Sequence, residues 1–273
     1  MPTYKYVIVV LVLLICSFEV YSQKVPRERL LERSALWLPL GVSKGQRGEG
    51  LMYTQIQTRS FLFEDNTQNN SPLINSLVLR LGYEKQLNKQ WFMGLMGQYI
   101  RENAQPNSFY SLRPRAYLAH SNPDKSYVFE KYLALEGIIK SNRSELTPNY
   151  FRARMLLFLG KVYKGKNGSS WLPSVSYELF KNITPEIKDV ENRFLAATRF
   201  KLNVLRQGSK GHQLNVFLMD DAAYYFAEPT FDGDGNELKP YRAVNLHTLV
   251  FGVGFCYSLR GHKDIAQFVY GLN

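Results

Sequence analysis

The chain has 273 residues, 45% of them hydrophobic and 14% aromatic, and a formal net charge of +11. Its mean hydropathy of -0.26 excludes a bundle of membrane helices, each of which needs roughly 20 consecutive apolar residues. Of the two cysteines, Cys16 leaves with an N-terminal leader, so the mature chain has no disulfide framework.

Residues 1–22 read as a cleaved signal peptide. Lys5 gives a basic start, Val7 to Cys16 is unbroken apolar chain, and Val20-Tyr21-Ser22 offers a cleavage site. The apolar run is about ten residues, too short to cross a ~30 Å hydrocarbon core as a helix. Bulky Ile15 before Cys16 argues against a lipoprotein, and loss of Lys5 and Glu19 together leaves the net charge unchanged. A short N-terminal segment, 23–34, follows, and its stretch Val25 to Ser34 is expected to form one or two helical turns. Residues 35–273 then form one domain, with no linker or composition break.

That domain is a succession of alternating segments. In Phe151-Arg-Ala-Arg-Met-Leu-Leu-Phe-Leu159, Phe151, Ala153, Met155, Leu157 and Leu159 fall on one face of a strand and Arg152 and Arg154 on the other. In the next such segment, Phe194, Ala196, Thr198, Phe200 and Leu202 oppose Arg193, Arg199 and Lys201. Strands are predicted at Ala35–Ser43, Met52–Phe63, Ile74–Leu87, Trp91–Arg101, Phe109–His120, Tyr127–Lys140, Tyr150–Tyr163, Trp171–Lys181, Asn192–Asn203, His212–Tyr225 and Val244–Leu259. A final run, Ile265–Leu272, is a candidate twelfth. One greasy and one charged face per strand, behind a leader, predicts an all-β antiparallel transmembrane β-barrel. Bacterial single-chain barrels have even strand numbers, so the expectation is about 12 strands, with 10 as the fallback. The connections include a tight turn at Asn88-Lys89 and polar turns at Lys164–Gly168 and Arg206–Gly211. Longer connections run from Glu64 to Pro72, Ser141 to Pro148, Ile183 to Asp189 and Glu228 to Tyr241. Read this way, long and short connections alternate imperfectly.

The strongest chemical signal is a set of ionisable residues on the predicted inner faces: Arg80, Arg113, Arg115, Glu136, Arg152, Arg154, Glu178, Arg193, Arg199 and Lys201. Glu136 and Glu178 flank the Arg152/Arg154 strand, and neighbouring strands lie about 4.8 Å apart, so Glu–Arg–Glu pairing across three strands is feasible. Such pairs either fill and rigidify a narrow lumen or form a selective pore or anion site. The basic residues are spread through strands rather than gathered on a helix or loop, which argues against nucleic acid as a partner. Asp232-Gly-Asp-Gly-Asn236 has Glu237 and Ala243 where a helix-flanked calcium loop needs Gly and Glu, and reads as an external turn. His120-Ser121-Asn122 places neighbouring residues on opposite faces and is no hydrolytic triad. No phosphate-binding glycine loop or Cys/His metal spacing is present, and no cofactor is expected.

Several short motifs recur in a constrained order. They are Leu36-Trp37, Gly82-Tyr83, Leu135-Glu136, Tyr150-Phe-Arg-Ala-Arg154, Tyr177-Glu178-Leu-Phe-Lys-Asn182, Asn192-Arg193-Phe194, Tyr224-Tyr225 and the closing Leu249–Phe255. This order resembles the bacterial outer-membrane proteins grouped as domain of unknown function 2490. The resemblance implies an outer-membrane barrel and supplies no active site. One departure is the tail from Arg260 to Asn273, which follows the closing strand and does not end in an aromatic residue.

The expected protein is a non-enzymatic outer-membrane barrel of structural or transport type, with a narrow channel or a charge-plugged lumen. Its partners would be outer-membrane lipid and, during biogenesis, the barrel-assembly machinery. Two alternatives stand beside it. A barrel enzyme acting on outer-membrane lipid or lipopolysaccharide would need a Ser/His or His/Asp pair on one face, with His120 and His247 as candidates. A soluble, secreted β-rich binding protein would need no membrane at all.

Overall fold

The computed structural model describes residues 27–31, 34–46, 50–61, 74–103, 108–122, 126–141, 149–165, 168–183, 195–209, 212–227, 230–233, 237–239 and 242–259. Fifteen strands occur there. They are β1 (Arg27–Leu31), β2 (Ala35–Gln46), β3 (Gly50–Phe61), β4 (Ser76–Gln86), β5 (Trp91–Glu102), β6 (Phe109–Asn122), β7 (Tyr127–Lys140), β8 (Tyr150–Lys161) and β9 (Tyr163–Lys164). They continue with β10 (Ser170–Asn182), β11 (Ala197–Gln207), β12 (His212–Ala227), β13 (Thr230–Phe231), β14 (Glu237–Lys239) and β15 (Arg242–Ser258). Eleven of them, β2 to β8, β10 to β12 and β15, pair in sequence and close through β15 against β2. Every sequential pair is antiparallel, so the chain is a closed all-β barrel.

All eleven alternating segments read from the sequence overlap barrel strands; Asn192–Asn203 corresponds to β11 at Ala197–Gln207, and residues 192–194 lie outside the described ones. The count of eleven among the described residues differs from the expected twelve, and Ile265–Leu272 lies outside them. Successive hairpins reverse direction, so an odd number leaves the first and last strands running the same way. Closure must then be parallel, and β2 and β15 pair in parallel from Ala35↔Val250 to Ser43↔Ser258. An even number of strands would instead close antiparallel.

The alternation of connections holds once strand ends are fixed, apart from 162–169, which is longer than 103–108 at the opposite end. Chain segments 47–49, 87–90, 123–126, 162–169 and 208–211 join strands at one end, and 62–75, 103–108, 141–149, 183–196 and 228–241 at the other. At the short-turn end, Asn88 Oδ1 accepts from the Gln90 and Trp91 amides at 2.9 and 3.0 Å. The 162–169 turn uses Gly168 at φ 72, in the left-handed region that suits glycine.

Within the stretch Val25–Ser34, where helical turns were expected, the described residues Arg27–Leu31 are a strand, parallel to β15 from Arg27↔Ala243 to Leu31↔His247. The reason is edge satisfaction. β15 extends past the start of β2, and the backbone groups it leaves beyond that strand need ladder partners. β1 covers that edge. The seam has one interruption, at Pro39, which lacks an N–H to donate. A Cβ on Gly254 would lie 2.7 Å from Pro39 Cγ, so this close approach requires glycine.

The alternation turns apolar side chains outward. On β15, Leu249, Phe251, Val253 and Phe255 are 41–45% exposed, while Val250 and Cys256 between and beyond them are 0% and 3% exposed. Leu79 and Leu81 on β4, Leu133 and Leu135 on β7, and Leu202 and Val204 on β11 continue the belt. Outward aromatic residues flank it, with Trp91, Tyr127, Trp171 and Tyr257 toward the short turns and Tyr99, Tyr110 and Phe151 toward the long connections. Among the described residues no helix is long and apolar enough to cross a membrane, which says nothing of crossing by strands.

Candidate functional site in the barrel lumen

Eight strands leave a barrel interior just wide enough for side chains. Eleven leave more, and long residues fill it. Toward the short turns the filling is apolar and aromatic: Phe92, Tyr117, Val128, Tyr132, Leu156, Phe158, Leu172 and Leu205 form one buried cluster. Its two tyrosines bond to charged neighbours: the Tyr117 hydroxyl donates to the buried Glu84 Oε2 at 2.8 Å, and the Tyr132 hydroxyl accepts from Arg115 Nη1 at 3.5 Å. Large rings fit because glycines face them across the ladder: Tyr53 is in register with Gly82, where a Cβ would lie 2.2 Å from the ring.

Above this seal runs a ladder of charge. Glu136 receives Arg115 Nη2 at 2.6 Å and Arg152 Nε at 2.9 Å, with Arg154 Nη1 at 3.5 Å. Glu178 receives Arg154 Nε at 2.7 Å and Arg199 Nη1 at 3.3 Å. Arg199 Nη2 completes the run by donating to Asp221 Oδ2 at 2.9 Å. Strand register makes this possible, since Arg115↔Glu136, Glu136↔Arg152, Glu178↔Arg199 and Arg199↔Asp221 are directly opposed pairs. Arg154 reaches Glu178 diagonally, because its direct partner is Phe180. Arg152, Arg154 and Arg199 lie over the Phe180 ring at 4.6, 5.0 and 5.2 Å.

The other inward residues singled out from the sequence take separate places. Arg80 is buried, and its Nη1 donates to Gln55 Oε1 at 2.5 Å. Arg113 is half-buried and donates from Nε to Ser111 Oγ at 3.3 Å. Lys201 is buried and lies over the Phe217 ring at 4.2 Å. Arg193 lies outside the described residues.

Sequence reasoning missed Gln55, Arg59, Trp37, Phe180 and Asp221. Arg59 sits on β3, whose inward Gln55 and Gln57 oppose outward Thr54 and Thr58, so its two faces differ too little to orient it. Asp221 follows Asp220, and two adjacent acids always take opposite faces. Only the strand's register says which one is inside.

A second polar group lies on the outer face near the long connections. His247 Nδ1 is 3.1 Å from Asp220 Oδ1, and Thr198 Oγ1 and the Tyr224 hydroxyl are 2.6 Å apart on neighbouring positions. His120, also outward, packs edge-on against Trp91 near the short turns with ring centroids 4.8 Å apart. Among the described residues no three His, Cys, Asp or Glu side chains gather to hold a metal ion. No protein-family model matches the chain, and neither a curated protein nor a solved structure is similar to it.

Proposed function

We propose that the chain is an outer-membrane β-barrel of structural or transport type, exported behind its leader, with a lumen closed by its own side chains. The observation that carries this reading is the inverted solvent pattern of the wall. Apolar side chains face out along a belt bounded by aromatic residues, and ionised groups face in. Such a surface suits lipid outside. A charge-plugged lumen is favoured over an open channel, because Glu136, Arg154, Glu178 and Lys201 are 0%, 4%, 2% and 6% exposed.

Fractionation and heat-modifiability test it. The unboiled protein should migrate differently from the boiled one, in the outer-membrane fraction, and should pass no sustained current in planar bilayers. Release into the periplasm or medium without detergent would overturn the reading in favour of a soluble binding protein.

One observation favours a second reading, a barrel enzyme acting on outer-membrane lipid. His247 and Asp220 are paired on the lipid-side face, at the margin of the apolar belt. This pair supplies a base and its orienting carboxylate. Replacing His247 by Asn and measuring phospholipid and lipopolysaccharide turnover decides it; unchanged turnover removes the enzyme.

A further inference from the structure

The lumen charges are not evenly protected. Arg80, Arg115, Arg154 and Lys201 are buried, whereas Arg59, Arg113, Lys140, Arg152 and Arg199 are half-buried and lie toward the long connections. These five cations come from β3, β6, β7, β8 and β11, so they converge from around the wall rather than from one side. Their grouping is physical. Arg59 lies 4.0 Å and Arg199 5.7 Å from the Trp37 ring, and Arg199 and Arg152 share the Phe180 ring. Arg59 is within electrostatic reach of Arg199 and Arg113, and Arg113 of Arg152 and Lys140. The acids among them are Asp221, bound to Arg199, and Glu102; Glu136 below is already shared by three guanidinium groups.

Of the four half-buried arginines, two have no carboxylate within ion-pair distance among the described residues; the buried Arg80 has none either, but its guanidinium bonds Gln55. Arg113 bonds a serine hydroxyl, and Arg59 stacks on Trp37 with its Nε buried and unbonded. Such groups are poor filler, since apolar residues of similar volume often close an interior as well or better. The short-turn half of this lumen is closed largely in that way, with Glu84 and Glu130 buried beside the apolar cluster.

We propose that the long-connection mouth of the barrel is a blind anion-binding vestibule for a phosphate-bearing solute, held by Arg59, Arg113, Arg152 and Arg199. The tetrahedral oxygens of phosphate point in several directions and accept from several planar guanidinium forks at once. A carboxylate, with two coplanar oxygens, is satisfied by one fork. The partly filled forks of Arg152 and Arg199 supply the deeper contacts and the free ends of Arg59 and Arg113 the outer ones. Phosphate as a free solute and phosphate on a lipid headgroup present the same chemistry. The proposal needs the closed barrel but not the membrane location, so a negative binding result is distinguishable from a negative fractionation.

The test uses full-length protein in a non-ionic detergent at constant ionic strength. Inorganic pyrophosphate is titrated by calorimetry and by the fluorescence of Trp37, which stacks on Arg59. Dodecyl phosphate doped into the micelles is the second probe. The Arg59→Gln/Arg113→Gln double variant should weaken binding at least about tenfold, since hydrogen bonds to charged groups are individually strong. Should that variant lose its heat-modified band, Arg59→Gln alone serves, and Trp37→Phe in otherwise native protein must abolish the optical signal while keeping the heat. Saturable binding of pyrophosphate supports a free solute, and a response to dodecyl phosphate alone supports a lipid-borne one. No response to either probe, or one undiminished in the arginine variants, overturns the vestibule.

Discussion

The two halves of the lumen share one wall and one side-chain alternation, yet they are filled by opposite chemistries. Toward the short turns, Phe92, Phe158, Leu172 and Leu205 close the interior as a soluble core would, by removing apolar surface from water. Toward the long connections, the interior is held by a run of ion pairs from Arg115 to Asp221 and grades into half-buried arginines. The first half is held mainly by volume. The second needs register, because each carboxylate must meet its guanidinium across a ladder, and a buried charge that loses its partner is costly. The comparison teaches that apolar volume does most of the closing on the short-turn side, with Glu84 and Glu130 buried beside it. The charged half is a specification laid on top of closure.

Four substitutions test this contrast. Glu136→Gln should have the largest effect, because it strips Arg115 and Arg152 of their shared carboxylate; a loss of about 3–5 kcal/mol is expected from urea unfolding in detergent. A cost near zero would mean that the ladder is not paired in solution. Phe158→Ala, in the apolar half, should cost about 3–5 kcal/mol through the cavity it leaves, with the cost falling toward the lower bound if water enters from the turn end. Unlike the ladder variant, its loss should be insensitive to salt. Val253→Arg, on the outer belt, should cost about 2–4 kcal/mol in a bilayer, and no cost would remove the lipid-facing assignment. Arg59→Gln should be the mildest, within about 1 kcal/mol, since its described contact is a half-exposed cation–π stack on Trp37. If it instead costs as much as Glu136→Gln, the mouth is part of the structural ladder and not a separate vestibule.

Much of the molecule was legible beforehand. A period of two separates the faces of every strand, so Arg152 and Arg154 were assigned to one side and Met155 and Leu159 to the other from the chain alone. The Glu136–Arg152/Arg154–Glu178 neighbourhood also followed, since sequential strands in a meander are adjacent. Three things did not follow. The parallel closure of β2 on β15 depends on which strands are counted in. The strand character of Arg27–Leu31 depends on an exposed edge that exists only once β15 has outrun β2. The extension of the ladder to Asp221, and the meeting of His247 with Asp220, depend on stagger between strands that are not distinguished locally.

The sequence by itself therefore determined the wall: extended segments, their inner and outer faces, and the sign of what each face carries. These are local properties, written in alternation. The tertiary structure decided what the wall encloses. Register and closure are global quantities, fixed by the sum of many cross-strand fits, and they set which arginine meets an acid, which stacks on an aromatic ring and which is left facing the mouth.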